Sequence, residues 1–208
     1  MGSECRLRAP AGSRFILASA SPRRLDLLAQ IGLTPDDVVS ASLDESPRPG
    51  ELPRDYVLRV AQEKAELVAK AHPDCFILAA DTSVVCGRRI LGKATDRKEA
   101  ARFLELLSGQ RHRVLGGIAL VSPDAGMRMR LSETRVGFKR LSTEEREAFL
   151  DSDDWQGKAG AYGIQGVAAA FVSFLNGSYS NVVGLDLALT YQLVVGAGFK
   201  LMAGENDR

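Results

Sequence analysis

The segment Ala18–Leu25, which reads Ala-Ser-Ala-Ser-Pro-Arg-Arg-Leu, is the strongest local signal for the binding of an anion. Ser21 is a favourable helix N-cap and Pro22 fits the first helical position, so the pattern predicts a helix that begins here. Free backbone N–H groups at a helix start attract anions, and Arg23 and Arg24 add two cations at the same place. Because cations near a helix N-terminus oppose the helix dipole, a bound phosphate would remove that conflict. The alternative is a plain capped helix with two solvated arginines.

Lys64 is a second candidate because it interrupts the apolar face of a helix that is predicted over residues 54–71. Val57, Val60 and Ala61 recur at helical spacing, and Lys64 takes the next position of the same stripe. A lysine in that place either extends its amine along the apolar surface to water or reaches an acidic partner or ligand in a cleft.

Asp81 follows Ile77–Ala80, an apolar run that predicts a buried strand ending at Asp81 and Thr82. Open α/β sheets place ligand chemistry at the carboxyl ends of their strands. A carboxylate there suits Mg²⁺, which proteins often bind through one or two carboxylates together with substrate phosphates. The alternative is an aspartate that only caps the local backbone.

Glu45 and Lys93 also follow predicted apolar segments, and either one alone would be an ordinary surface charge. The set that shares this placement at element ends is four cations and two carboxylates: Arg23, Arg24, Lys64, Lys93, Glu45 and Asp81. This balance of charges is expected around a metal-bound polyphosphate. The sequence contains neither a Walker A nor a GxGxxG pattern, so those two nucleotide-binding architectures are excluded.

Three further polar residues are weaker candidates. Gln165 lies in the charge-free segment 159–185, where its amide either recognises a base edge or a phosphate oxygen or is satisfied by the backbone. His112 has no partners for a catalytic triad and is interpreted as structural. Cys86 stands beside a pair of arginines, but a buried and unreactive thiol is the expected state.

Apolar runs and helical periodicity alternate along the chain, which predicts an α/β fold. Strands are predicted at 15–18, 75–80, 84–91 (a hairpin around Gly87), 114–121, 128–138 and 167–175, with a weaker strand over 36–43. Helices are predicted at 22–31, 54–71, 97–107 with Asp96 as the cap, 143–150 and 185–195. We find no repeats or low-complexity segments, and we predict a single domain of two lobes around a mixed, twisted sheet.

The composition limits the class of protein. The 208 residues include 27 Lys and Arg, 26 Asp and Glu, two His and three Cys. The formal net charge of +1 argues against a protein that coats nucleic acid. Two histidines exclude a His-rich metal site, and the cysteines lack CxxC spacing, so neither a zinc site nor a disulfide framework is predicted. A chain of this length can form a core without either.

We predict a disordered N-terminal extension over 1–14, one domain over 15–198 and a solvated tail over 199–208. The extension carries arginines, but no apolar stretch of signal-peptide length follows it. The charge-free run 159–185 holds several Gly together with Gln and Asn, a composition unlike that of a lipid-facing helix. We therefore expect a soluble cytoplasmic protein without membrane or nucleic-acid partners.

Several stretches in a fixed order resemble the Maf nucleotide pyrophosphatases, and the resemblance covers roughly residues 15–195. These stretches are Leu17–Arg24, Ala80–Thr82 with Lys93 downstream, Leu107–His112, Lys158–Gly166, and Asn176–Ser178 leading to Val183–Leu185. Ser-Pro-Arg-Arg together with Gly-Ile-Gln-Gly is similar to the branch that acts on dTTP and UTP, rather than to the branch that prefers 7-methyl-GTP.

The resemblance implies hydrolysis of a nucleoside triphosphate between its α and β phosphates, which yields the monophosphate and pyrophosphate. It also implies a cleft between the lobes of a fold like that of the inosine triphosphatases, a divalent metal (Mg²⁺, with Mn²⁺ or Co²⁺ as alternatives) and a homodimer. By the same resemblance, Ser19, Arg23, Arg24, Lys64 and Lys93 hold the phosphates, and Thr82 and Gln165 help to fix the substrate. Glu45 and Asp81 bind the metal, and Asp81 is also the proton acceptor for the attacking water.

Three residues depart from the family pattern: Ala94 and Asp186 stand where Pro is usual, and Leu115 stands near a usual Thr. Asp186 and Leu115 bear on base preference more than on the reaction.

Three other functions remain open. They are a nucleotide-binding regulator of septum formation without turnover, a purine-preferring pyrophosphatase such as an inosine triphosphate hydrolase, and a phosphatase that releases orthophosphate.

Overall fold

In the computed structural model, which describes residues 5–203, strands and helices alternate along the chain. The strands are β1 (Arg6–Arg8), β2 (Arg14–Ala18), β3 (Asp37–Val38), β4 (Cys75–Cys86), β5 (Arg89–Leu91), β6 (Arg111–Ser122), β7 (Gly126–Phe138), β8 (Val172–Asn176) and β9 (Lys200–Met202). The α-helices are α1 (Pro22–Gln30), α2 (Pro53–Ala71), α3 (Arg97–Leu107), α4 (Thr143–Asp151), α5 (Tyr179–Val183) and α6 (Leu187–Gly196). A 3₁₀ helix, Val167–Phe171, precedes β8.

Seven strands form one sheet in the order β3-β2-β4-β6-β7-β8, with β5 paired to β4 off this path. β2 runs parallel to β3 and β4, whereas β4, β6, β7 and β8 pair antiparallel. The predicted single-domain α/β fold with a mixed sheet is therefore confirmed.

The middle of the sheet is buried on both faces. Side chains alternate along β4, so Ile77 and Ala79 pack with α2 while Leu78 and Ala80 join the larger core on the other face. By the same alternation, Asp81 lies on the face covered by α2, and Thr82 lies on the opposite face.

Gly117 allows α2 to lie close to the sheet. It stands opposite Asp81 in the register of β4 and β6, and a Cβ built on it would be 2.1 Å from the carbonyl oxygen of Val57 in α2. The missing side chain therefore lets the backbone of α2 approach the sheet beside Asp81, on the face where that carboxylate lies.

We expect Gly117→Ala to lower the free energy of unfolding by about 3 kcal/mol, because the added methyl group must displace the backbone of α2. Urea unfolding measures the change. Gly92→Ala is the matched control, since a Cβ at Gly92 meets nothing within 4 Å. An unchanged unfolding midpoint in Gly117→Ala would contradict the prediction.

Most predicted helices and strands are present, and three predictions are wrong. The strand predicted over 167–175 begins only at Val172, because the preceding residues form the 3₁₀ helix. The weak strand predicted over 36–43 is reduced to Asp37–Val38. The strand predicted to end at Asp81 continues to Cys86, because β6 pairs with it as far as Val85.

The two ends of the described chain pair with each other. β1 and β9 form a separate two-stranded antiparallel sheet. Phe199, just before β9, is 2% exposed, and its ring packs edge-on against Phe15 at 5.5 Å and Phe76 at 5.1 Å between centroids. This aromatic contact ties the C-terminal strand to the main core.

The predicted disorder over 1–14 is therefore wrong for residues 6–8, which form β1, and for Arg14, which begins β2. The predicted solvated tail over 199–208 is wrong for Phe199, which is buried, whereas Lys200–Met202 form β9 but are exposed. These predictions failed because Phe199 is buried in the core, and the sequence of a short terminal segment does not indicate that burial. Residues 1–4 and 204–208 of those two predictions lie outside the described residues.

Among the described residues, the longer helices lack the sustained apolar stretch that crossing a lipid bilayer requires.

Candidate functional site

A cleft of about 460 Å³ opens where β2 ends and α1 begins. Its walls are the start of α1, the loop that carries Glu45, and the segment 156–165. Eight of the nine residues predicted for the site line this cleft: Ser19, Arg23, Arg24, Glu45, Lys64, Thr82, Lys93 and Gln165. The ninth, Asp81, is hydrogen-bonded to Lys64.

A larger cavity, of about 750 Å³, lies along β1 and β9. None of the nine predicted site residues lines it. We therefore assign the chemistry to the smaller cleft, where charged groups from several parts of the chain meet.

The start of α1 presents backbone N–H groups to the cleft. Ser21 occupies the N-cap position, but its side chain makes no capping hydrogen bond, which differs from the prediction. Instead, Ser19 Oγ accepts hydrogen bonds from the backbone N–H of Ser21 at 3.1 Å and from Arg24 Nη1 at 3.0 Å. With no side-chain cap and no acidic residue in the first turn, this helix start is suited to an anion.

Arg24 is a buried cation with neutral partners. It is 9% exposed, and besides Ser19 its guanidinium donates to the carbonyl oxygen of Gly184 at 2.9 Å and to Thr82 Oγ1 at 3.3 Å. Burial lowers the pKa of Arg24, while the charges of Asp81 and Glu45 act in the opposite direction. A buried guanidinium without a direct carboxylate partner favours the arrival of an anion.

Lys64 lies between two carboxylates. Its ammonium nitrogen is 3.0 Å from Asp81 Oδ1 and 3.0 Å from Glu45 Oε1. Lys64 and Asp81 are each 7% exposed, so the alternative in which the amine extends to water is wrong. The Glu45 side chain is 43% exposed, and the hydroxyl of Tyr56 donates to its backbone carbonyl at 2.8 Å, which holds the loop over α2.

The register of the sheet explains the place of Asp81. β2 ends at Ala18, which pairs with Ala79, whereas β4 continues. Asp81 and Thr82 are therefore mid-strand residues that extend beyond the carboxyl end of a parallel neighbour, at the level where the chain turns through Ser19 into α1. The ligand chemistry predicted for a strand end is thus created by the end of the adjacent strand.

The carboxylates of Glu45 and Asp81 fit a hard divalent cation. Both contact the same ammonium group, and Mg²⁺ commonly uses one or two carboxylates with the rest of its shell from water and substrate phosphates. No group of three or more His, Cys, Asp or Glu side chains that could hold a metal occurs within residues 5–203. A metal here would therefore depend on the substrate for part of its coordination.

Three other predicted residues are polar groups at the edge of the cleft. Thr82 Oγ1 accepts from Arg24 and donates to the carbonyl oxygen of Gly184 at 3.0 Å. Lys93 follows β5, where its backbone forms a β-bridge with Ala159, and its side chain has no ion pair in the described part of the chain. Gln165 is exposed at the cleft.

Lys158 and Tyr162 line the cleft as well, and the sequence analysis gave them no role. Lys158 Nζ binds the side chain and the backbone carbonyl of Asp154. Both residues belong to the stretch Lys158–Gly166 that resembles the Maf proteins, and this was the signal by which they could have been found. Their local sequence has no helical or strand periodicity to indicate which side chains face a ligand.

The three departures from the family pattern lie outside the cleft. Leu115 is fully buried in the core, and Asp186 caps α6 by accepting from the backbone N–H of Leu189 at 3.1 Å. Asp186 also accepts a hydrogen bond from Ser132 Oγ at 2.6 Å. These contacts give Leu115 and Asp186 structural roles.

His112 is buried and stays neutral over most of the pH range. It is 2% exposed, and burial lowers its pKa from 6.5 to about 4. Its Nε2 lies 2.7 Å from the hydroxyl of Tyr162. The interpretation of His112 as a structural residue therefore agrees with its burial, and its contact reaches the wall of the cleft.

The stability of the fold should depend on pH through His112. As the pH falls from 6.5 to about 4, the imidazole protonates in the unfolded chain but not in the folded one. The unfolded chain then binds more protons, so the free energy of unfolding falls by up to about 3 kcal/mol across that window. Urea unfolding at about pH 7 and pH 5 measures the slope, which His112→Asn should reduce and His72→Asn should not. An undiminished slope in His112→Asn would contradict the assignment.

Comparison with known proteins gives the following similarities. A family model described as Maf-like protein matches residues 14–197. A protein of Caulobacter vibrioides named dTTP/UTP pyrophosphatase is 54% identical over 190 residues, which cover 91% of this chain and 98% of the relative. A relative with the same name from Rhodospirillum rubrum is 55% identical, and the alignment covers 96% of this chain and 93% of the relative. Another, from Paramagnetospirillum magneticum, is 56% identical, and the alignment covers 89% of this chain and 97% of the relative.

Among solved structures, the Ham1 protein of Staphylococcus aureus aligns with 60% of this chain and 71% of its own, at 16% identity and a TM-score of 0.42. A similarity this low carries no weight beside the sequence relatives.

Proposed function

Because this chain belongs to the family of Maf-like proteins, we propose that it hydrolyses dTTP and UTP between the α and β phosphates, releasing the monophosphate and pyrophosphate. The observation that carries this proposal is the ammonium of Lys64, held 3.0 Å from both Glu45 and Asp81 beside a cleft rich in cations. Such a site offers a base, a place for a divalent cation and positive charge for a triphosphate.

Asp81 is the proposed proton acceptor. One carboxylate oxygen is held by Lys64, and the other accepts no hydrogen bond within the described residues, so it is available to a water molecule. The water attacks the α phosphorus, its proton passes to Asp81, and the bond from that phosphorus to the bridging oxygen breaks with departure of pyrophosphate. Lys64 keeps the carboxylate in a fixed direction throughout.

The cations of the cleft stabilise the charge that grows on the leaving pyrophosphate. Arg23 and Lys93 form no ion pair within residues 5–203, so both are available to phosphate oxygens. Arg24 donates to Ser19, Thr82 and Gly184 through three of its five N–H groups, and the other two make no hydrogen bond within the described residues, so this cleft-lining guanidinium can still bind an anion. The N–H groups at the start of α1 add further donors.

Glu45 and Asp81 are the proposed ligands of a divalent cation, Mg²⁺ first, with Mn²⁺ or Co²⁺ as alternatives. When bound, the cation neutralises phosphate charge and lowers the pKa of coordinated water. The Glu45 side chain is 43% exposed, so its carboxylate is accessible to a metal–nucleotide complex that enters the cleft.

Gln165 and Thr82 are proposed to help fix the substrate, and Gln165 to recognise the pyrimidine base. The Gln165 amide makes no hydrogen bond to the described residues, so it can donate to a carbonyl and accept from an N–H. Uracil and thymine offer a carbonyl beside the N3–H group, whereas cytosine lacks that N–H. We also propose, from the resemblance to the Maf proteins, that the protein is a homodimer in the cytoplasm; light scattering after gel filtration would test the oligomeric state.

The decisive experiment incubates the purified protein with dTTP, UTP, CTP, ITP and 7-methyl-GTP, each with Mg²⁺, Mn²⁺, Co²⁺ or EDTA. We expect monophosphate and pyrophosphate from dTTP and UTP, and no product in EDTA. Release of orthophosphate would indicate a phosphatase, and preference for ITP a purine pyrophosphatase. Tight binding of dTTP without any product would favour a nucleotide-binding regulator, and each of these three results would overturn the proposal.

We expect Arg23→Ala to raise the KM for UTP by about tenfold, because a charge-assisted contact to a phosphate oxygen is lost. Steady-state kinetics with the proposed metal measure the effect. Arg14→Ala, an exposed arginine at the opposite end of β2, serves as the control and should behave as wild type. A KM unchanged in Arg23→Ala removes Arg23 from phosphate binding.

A further inference from the structure

One wall of the cleft, the wall segment (residues 156–165), has neither helix nor strand structure. All of it except Gly160 and Ala161 lines the cleft, and it carries Lys158 and Gln165. Because the wall segment lacks the regular backbone hydrogen bonds of a helix or a sheet, contacts with the rest of the fold must hold its side chains in place.

The wall segment contains a strained residue. Ala161 has φ = 57°, in the left-handed region that residues with a Cβ rarely adopt, and it is fully buried. Such a conformation persists only where neighbouring contacts impose it, and it occurs most often at functional sites. Gly160, immediately before it, has φ = 65°, and its N–H is shared between the carbonyl oxygens of Leu91 and Gly92 at 2.9 Å each.

The anchor that follows the strained residue is Tyr162. Its hydroxyl lies 2.7 Å from His112 Nε2 in β6, and the two residues are 5% and 2% exposed. The ring of Phe138 packs edge-on against both, with centroids 4.9 Å from Tyr162 and 5.2 Å from His112. Tyr162 is therefore fixed in direction by its hydrogen bond and in position by its aromatic neighbours.

This hydrogen bond joins two uncharged groups at neutral pH. Burial lowers the pKa of His112 to about 4 and raises the pKa of Tyr162, so the pair is a neutral imidazole and a phenol. His112 Nδ1 has no hydrogen-bond partner within the described residues, which leaves Tyr162 as the one polar contact of the imidazole there. The orientation of this buried imidazole therefore depends on its hydrogen bond to Tyr162.

We propose that His112 and Tyr162 are positioning residues that hold the wall segment in its strained turn, so that Gln165 is presented to the nucleotide. The inference rests on the proposed function. We expect the pair to affect nucleotide binding and base selection. The chemical step is assigned to Asp81 in β4, which is not part of the wall segment.

The primary test is Tyr162→Phe, which removes the hydroxyl and keeps the ring packing against Phe138. We expect the KM for UTP to rise about five- to tenfold, because the variant loses one neutral hydrogen bond, while kcat changes by less than about twofold. The ratio of kcat/KM for UTP to that for CTP should fall, because Gln165 is no longer held against the base. His112→Asn should reproduce these changes.

Thr190→Val is the matched control for loss of a buried hydroxyl. Thr190 is fully buried in α6, outside the cleft, and donates to the backbone carbonyl of Asp186 at 2.7 Å. It should lower the melting temperature to a similar extent and leave both the KM and the UTP/CTP ratio as in the wild type.

A second variant separates positioning from stability. Ala161→Gly relieves the strain, because glycine adopts positive φ without a steric penalty. In the Tyr162→Phe background, Ala161→Gly should restore the melting temperature but leave the KM high, since a relaxed turn does not restore the direction of the wall segment. Recovery of the KM together with the melting temperature would mean that the pair acts on stability alone, and would overturn the proposal.

The failure of this proposal can be told apart from failure of the proposed function. If the wild type hydrolyses UTP and Tyr162→Phe has the same KM and base ratio, only the positioning role is wrong. If the wild type produces no pyrophosphate, the rise in melting temperature caused by UTP in EDTA replaces the kinetic readout. A smaller rise in Tyr162→Phe than in Thr190→Val supports the proposal, and an equal rise overturns it.

Discussion

Asp81→Asn is expected to lower kcat on UTP by about 10³-fold while the protein remains folded. The amide has the size of the carboxylate and still offers an oxygen to Lys64, which is 3.0 Å away, but it cannot take a proton from the attacking water. Quench-flow or steady-state release of pyrophosphate measures the loss, and thermal unfolding shows whether the variant is intact.

Asp74→Asn is the matched control for this substitution. Asp74 is exposed and lies directly before β4, the strand that carries Asp81, so the same chemical change occurs next to that strand but away from the cleft. Turnover by Asp81→Asn within about threefold of the wild type, a change too small for loss of a general base, would remove Asp81 from that role.

Lys64→Met should have the second largest effect, a decrease in kcat/KM of about 10²-fold. Methionine preserves the aliphatic packing in α2 but removes the ammonium that holds Glu45 and Asp81 at 3.0 Å each. The buried carboxylate of Asp81 then has no cation partner, so the free energy of unfolding should fall by about 3 kcal/mol.

The double variant Lys64→Met, Asp81→Asn tests this explanation. If the loss of stability comes from an uncompensated buried charge, then the double variant is more stable than Lys64→Met alone, because the charge is gone. Lys70→Met, an exposed lysine in the last turn of α2, is the control and should match the wild type. A double variant less stable than Lys64→Met would contradict the bridging role.

The candidate site was predictable from sequence in its residue types but not in its contacts. Helical periodicity placed Lys64 on the core side of α2, because a helix repeats every 3.6 residues whatever surrounds it. The resemblance to the Maf proteins, which the family match confirms, pointed to the start of α1 and to Asp81. Neither indicated that one ammonium group would bind both carboxylates.

Where short-range signals were used alone, they failed in identifiable ways. The strand carrying Asp81 was predicted to end there because the local apolar run ends, but β6 pairs with it as far as Val85. The first 14 residues were predicted to be disordered and residues 199–208 to be solvated, yet β1 pairs with β9 and Phe199 is buried against Phe15. Pairing with a distant strand and packing against a distant ring are absent from a local window of sequence.

By itself, the sequence determined which elements form near the site and which charged groups are available, because capping, periodicity and turn chemistry act over a few residues. Only the tertiary structure decided that these groups meet. Arg24 contacts Gly184 from 160 positions away, and His112 contacts Tyr162 from 50 positions away. Such contacts depend on how the sheet register and the close approach of α2 at Gly117 fix all elements together, which no single segment encodes.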